Sequence, residues 1–92
     1  MRIPWTEPAA GDLTQIAGYL EKHGSNAIAR RVAHSISERI EALTQFPEQG
    51  RTGRKSGNRE LVLSGLPYLA VYRLNGDAIE ILRILHGAQM WP

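Results

Sequence analysis

Tyr68-Leu-Ala-Val-Tyr-Arg-Leu-Asn-Gly-Asp-Ala-Ile-Glu-Ile-Leu-Arg-Ile-Leu-His86 is the stretch on which the reading of the fold turns. Two apolar runs flank Asn75-Gly76-Asp77. Asn-Gly between such runs is a strong hairpin signal, because both residues tolerate positive φ at the turn. The second run, 78–86, is almost continuously apolar. That character suggests a strand covered on much of both faces. Upstream, Arg59-Glu-Leu-Val-Leu63 reads as a third strand, joined through a Ser64-Gly-Leu-Pro67 turn.

The first half of the chain has a different period. Leu13, Ile16, Ala17 and Leu20 recur at helical spacing and mark one buried stripe. Thr6 reads as the N-cap, with Glu7 and Pro8 in the first turn. Gly24 is expected to end this helix in a left-handed C′ position. Ser25 or Asn26 caps a second helix, with its apolar stripe on Ile28, Val32, Ile36, Ile40 and Leu43. Phe46-Pro47 stops it. The short link predicts an antiparallel helical hairpin. Residues 1–5 are extended in character, and Pro4 confines them to an edge or a strand end. Residues 47–58 read as the one clear loop. The expected order is β-α-α-β-β-β: an α+β fold with an N-terminal helical hairpin packed on one face of a small, mostly antiparallel sheet.

Ninety-two residues make one domain, 1–92. The chain has no cysteine, which excludes disulfides and thiolate chemistry and suits a reducing compartment. No apolar run approaches the ~20 residues of a membrane span, and the N-terminus lacks a signal-type apolar core, so a cytoplasmic location is expected. Net charge is +2, but residues 50–59 hold Arg51, Arg54, Lys55 and Arg59 and no acid. Such a focus suits an anionic partner, nucleic acid or acidic protein; a solvated basic loop accounts for it equally well.

The motifs Asp12–Leu20, Phe46–Arg51 (FPEQGR), Arg59–Leu63 (RELVL), Pro67–Leu74 (PYLAVYRL) and Ile81–Pro92 (ILRILHGAQMWP) occur in order along nearly the whole chain. In this they resemble the RelE/ParE superfamily of bacterial toxins. The resemblance implies a toxin of a type II toxin–antitoxin pair, a small sheet with two packed helices, and a cognate antitoxin whose tail folds across the toxin. It implies no cofactor, metal or small-molecule ligand. One branch of the superfamily, RelE, cuts messenger RNA on the ribosome; the other, ParE, poisons DNA gyrase and needs no hydrolytic site.

Under the RelE reading, Arg59, Arg83 and His86 are the catalytic candidates: arginines for the phosphate, histidine as acid or base. Arg51, Arg54, Lys55 and Arg73 are binding candidates, and Leu13, Ile16 and Leu20 line the expected antitoxin groove. Two departures favour ParE. Gly87 stands where many RelE enzymes carry a tyrosine, and the last strands and their loop hold a single lysine, Lys55. Glu48 falls one residue from the expected position of a carboxylate, which Gln49 occupies. Structural roles compete for the same residues. Arg83 pairs equally well with Glu80 or Glu60, Arg59 with Glu60, and His86 caps or packs a strand end. Tyr68 and Tyr72 face the core, while Trp5 and Trp91 cover its ends. The expected function is therefore gyrase inhibition of ParE type, with ribosome-dependent RNA cleavage as the alternative.

Overall fold

The computed structural model describes residues 1–87. Helix α1 spans Glu7–His23 and α2 spans Asn26–Glu41, followed by a 3-10 turn at Ala42–Thr44. The strands are β1 (Arg51–Thr52), β2 (Asn58–Val62), β3 (Tyr68–Asn75) and β4 (Ala78–His86). They form one antiparallel sheet in the order β1-β2-β3-β4. Among the described residues, no helix is long and apolar enough to cross a membrane.

Local chemistry explains where the helices begin. Thr6 Oγ1 accepts from the Ala9 amide at 3.2 Å and donates to Leu82 O at 2.9 Å, so one hydroxyl caps α1 and moors it to β4. Of the two candidates, Ser25 caps α2, accepting from the Ile28 amide at 3.1 Å. Gly24 departs from expectation: its φ is −139°, outside the left-handed region. The α1 stripe is only half-buried, with Ala9 alone fully enclosed, and Ile28 stands 40% exposed while Ala29 takes the core position.

The hairpin turn also differs in detail. Asn75 pairs with Ala78, leaving a two-residue loop of Gly76 and Asp77. Positive φ occurs at Gly76 (+61°) and not at Asn75 or Asp77. A glycine with positive φ in the first loop position is the type II′ pattern, which matches the twist of the strands.

Beyond the turn, β3 and β4 stay in register until Tyr72↔Ile81 and resume at Val71↔Arg83, so Leu82 is an extra residue on β4. This bulge resets the alternation. Ile79, Ile81 and Ile84 all enter the helix-side core with Ile36, Ile40, Leu43, Ala70 and Tyr72. Val71 and Leu85, which alternate to the other face, are buried as well. The near-continuous apolar run thus reflects a bulged strand buried on both sides.

The outer edge of β4 is closed by the chain that precedes it. Residues 1–5 are not a full strand but make two isolated parallel bridges, Arg2↔Ala78 and Trp5↔Ile81. Backbone bonds run Arg2 N to Asp77 O (3.3 Å), Ile79 N to Arg2 O (2.8 Å), Ile81 N to Pro4 O (2.9 Å) and Thr6 N to Ile81 O (3.0 Å). Pro4 has no N–H with which to continue the series, and this interrupts the ladder. Farther along, Asp12 of α1 accepts the Ile84 amide at 2.9 Å and binds the Arg83 guanidinium at 2.7 and 2.8 Å.

The expected loop 47–58 contains β1. Before β1 the chain is pinned beneath the sheet. Tyr72 Oη donates to Pro47 O at 2.7 Å and accepts from the Gly50 amide at 2.9 Å. A Cβ on residue 50 would lie 2.6 Å from Tyr72 Oη, so only glycine fits.

Two stability outcomes follow. Asp12→Ala removes a bidentate charge pair and uncovers a strand-edge amide; the expected loss is about 2–3 kcal/mol by urea denaturation. Gly50→Ala forces Tyr72 or the turn aside and is expected to cost about 1–3 kcal/mol in the same assay. A wild-type midpoint for either variant would contradict the packing described.

Candidate functional site

A groove of about 620 Å³ opens between α1 and the far end of the β3–β4 hairpin. Ile16, Tyr19 and Leu20 form its helical wall; Pro67, Tyr68 and Ile84 form the other. Asp12, Gln15, Arg83 and His86 supply polar groups around it. The groove exists because the α1 stripe is longer than the strip of sheet it covers. The N-terminal turns of α1 pack on β4, Ile16 packs half-buried at the core's margin, and Leu20 is half-buried one turn farther on.

Two aromatic–histidine pairs stand along this end of the molecule. Tyr68 and His86 oppose each other across β3 and β4, with rings edge-on at 5.9 Å and 90°. Tyr19 and His23, one turn apart on α1, lie 4.5 Å apart. Burial pushes the Tyr68 hydroxyl above its ordinary pKa, so it stays protonated. Arg83 is raised by its hydrogen bonds to Asp12 and remains a cation throughout the physiological range.

The sheet register separates the arginines. One cross-strand row reads Arg51, Glu60, Val71, Arg83 from β1 to β4; the next, on the opposite face, reads Thr52, Arg59, Tyr72, Ile81. Arg73 stands between Asn58 and Glu80. Arg51 and Arg83 are therefore three strand spacings apart, roughly 14 Å. Arg59 points to the helix side with Tyr72 and donates to Glu48 O (3.1 Å) and Gly50 O (2.9 Å).

Each of the four also has a carboxylate. Arg51 meets Glu60 at 3.0 Å, Arg59 meets Glu48 at 3.4 Å, Arg73 meets Glu80 at 2.6 Å and Arg83 meets Asp12 at 2.7 Å. The hydrogen bond from Arg73 holds Glu80 below the usual carboxylate range. These pairings replace the expected ones: Arg83 bonds neither Glu80 nor Glu60, and Glu60 belongs to Arg51 rather than Arg59. An arginine-bearing face converging on one anion is not what the fold builds. Arg54 and Lys55 are exposed in the β1–β2 turn.

Of the three RelE-type candidates, the structure brings Arg83 and His86 into one groove and leaves Arg59 two strands from Arg83, on the opposite face of the sheet. Of the three groove candidates, Ile16 and Leu20 line it. Leu13 instead faces a small cleft with Ile3, Trp5 and Ile40. Asp12, Tyr19, Pro67 and Tyr68 line the groove without having been singled out for it. The available signal for Asp12 was its position one turn before Ile16 on the same helical face, a carboxylate bordering an apolar stripe. Of the expected cover for the core ends, Trp5 packs on it, half-buried, and Trp91 lies outside the described residues, as does the rest of the tail beyond Gly87. Tyr72 is fully buried as expected, and Tyr68 is half-buried at the groove.

Chemically, the groove is an amphipathic seat: an apolar floor whose strongest cation is already neutralised by Asp12. It suits a segment with apolar anchors at helical spacing and a few polar contacts at its edges.

Comparison with known proteins agrees with this architecture. Residues 3–91 match the family model described as the ParE toxin of the type II toxin–antitoxin system parDE. The chain is 44% identical over 91 residues to the candidate toxin Y4kP of Sinorhizobium fredii, covering 99% of this chain and 93% of that one. It is 30% identical over 86 residues to Toxin ParE3 of Caulobacter vibrioides, covering 94% and 86%. Among solved structures, a chain of the chromosomal ParDE toxin–antitoxin system from P. aeruginosa superposes with a TM-score of 0.87 at 33% identity, covering 94% of this chain and 95% of that one. The chain belongs to the ParE toxin family of type II toxin–antitoxin systems.

Proposed function

We propose that this toxin arrests growth in the cytoplasm by contact inhibition of DNA gyrase, and that a cognate antitoxin neutralises it by seating an amphipathic segment in the α1 groove. The observation that carries the reading is that each nuclease candidate is engaged in a structural contact, with Arg59 apart from the groove that Arg83 and His86 line. A metal-free ribonuclease needs a base, an acid and phosphate-binding cations around one scissile bond. Here Arg59 clamps a turn, Arg83 is bound on two nitrogens by Asp12, and His86 packs edge-on against Tyr68. Contact inhibition demands a shaped surface and no such set.

For the antitoxin, Ile16 and Leu20 offer anchors on one helical wall, and Tyr68 and Ile84 close the other. The partner segment fits best as an amphipathic helix reading i, i+3 and i+4.

Purified toxin is expected to block gyrase supercoiling and to leave ribosome-bound messenger intact; transcript cleavage with normal supercoiling would reverse the assignment. His86→Gln is expected to inhibit supercoiling and arrest growth like wild type, whereas loss of a catalytic histidine would cut messenger cleavage by ~10²–10⁴-fold. In titration calorimetry with the cognate antitoxin, Leu20→Glu is expected to weaken binding by ~10-fold or more, because it buries a charge at an apolar anchor. Unchanged affinity would move the antitoxin site elsewhere.

A further inference from the structure

Tyr19 lines the groove from the C-terminal half of α1, yet it is 62% exposed. A ring left this open contributes little to the core. Its position is nonetheless held: the His23 ring, one turn on, lies 4.5 Å away at a tilt of 38°. On the opposite wall, His86 holds Tyr68 edge-on at 5.9 Å and 90°. Burial is the larger cause that raises the Tyr68 hydroxyl, but Tyr19 raises it further, so the two hydroxyls lie within electrostatic reach of each other. The groove is thus flanked by two aromatic rings, each steadied by a histidine. Ordering before binding lowers the entropy cost of association, and tyrosine is among the commonest energetic anchors of interfaces.

The two permanently charged residues of the groove answer each other. Asp12 binds Arg83 at 2.7 and 2.8 Å and takes the Ile84 amide at 2.9 Å, so both of its carboxylate oxygens are engaged. A charged side chain entering here would shed its water and find this pair already committed. An uncharged apolar side chain meets no such cost, and Ile16, Leu20 and Ile84 offer it an apolar bed.

We infer that Tyr19 and Tyr68 form a pincer that grips one bulky, uncharged apolar side chain of the antitoxin, with Tyr19 a hot spot of that contact. The inference rests on the reading above that the antitoxin occupies this groove, and it names the chemistry of the anchor.

The test measures affinity for the purified cognate antitoxin by titration calorimetry, at about 0.05 M and about 0.5 M NaCl, where the screening length falls from roughly 14 to roughly 4 Å. Wild type, Tyr19→Ala, Tyr19→Phe and Leu20→Glu are compared, with thermal melting of each toxin. Tyr19→Ala is expected to weaken binding by ~10-fold or more, by the same factor at both salt concentrations, with the melting temperature held. Tyr19→Phe keeps most of the affinity, because the ring and not the hydroxyl makes the grip. Should Tyr19→Ala melt early, Tyr19→Gln repeats the measurement at a position where an exposed glutamine suits a helix. Wild-type affinity in Tyr19→Ala, with Leu20→Glu weakened, overturns the pincer and leaves the antitoxin in the groove. A loss that shrinks at high salt overturns it too, since the anchor is then charged. So does a Tyr19→Phe variant as weak as Tyr19→Ala, or a Tyr19-dependent dimer of the toxin alone in gel filtration. If neither Tyr19→Ala nor Leu20→Glu alters affinity, the groove assignment and the pincer fall together.

Discussion

An edge strand must dispose of its outward backbone groups, and the fold of this toxin is organised around how β4 does so. The sheet ends at β4, the strand with the deepest apolar burial. Left open, it would present a row of unpaired N–H and C=O groups to any other strand. The chain closes it with its own beginning. Residues 2–6 bond alongside 77–81, the Thr6 hydroxyl takes the carbonyl of the bulge residue Leu82, and Asp12 takes the next amide, that of Ile84. The helical hairpin is thereby positioned by polar contacts at the strand edge as well as by apolar contacts on the face. Residues at opposite ends of the sequence are tied together, with separations above seventy residues.

That closure also creates the groove. Because α1 is fixed to β4 at Thr6 and Asp12, its apolar stripe runs from the core's margin at Ile16 on to Leu20, and these two line a groove whose other wall holds Tyr68 and Ile84. The interaction that seals the edge therefore sets the geometry of the surface assigned to the antitoxin. It also changes the meaning of Arg83. An arginine in a long apolar strand looks like a phosphate ligand awaiting its anion. With Asp12 on two of its nitrogens it is a structural cation, and its charge is spent before any partner arrives.

The same accounting applies to the rest of the basic half. Arg51, Arg59 and Arg73 each face a carboxylate, and Arg59 works with Tyr72 to fasten the turn before β1. A charge focus in sequence need not become a charge focus in space: the carboxylates that meet these arginines lie between seven and seventy-one residues away along the chain and decide the local field. The Phe46 ring and Lys55 are exposed on the segment that precedes β2.

Periodicity, turn chemistry and caps depend on neighbours within a few residues. These established two helices, a β-hairpin around Gly76, the Thr6 cap and the α+β class, and the ordered motifs pointed to the toxin superfamily. Pro4 likewise announced an interrupted edge. Contacts between distant residues carry no such local mark. Nothing near Arg83 names Asp12, and the bulge at Leu82, which sets the face each β4 residue takes, arises only when two strands are laid together. Gly50 looked like an ordinary loop glycine until the Tyr72 ring was packed against it. Side-chain kind and spacing are written along the chain. Which charge meets which, and which aromatic is left in the open, is settled by three-dimensional closure, because electrostatic and steric partners are chosen by distance in space.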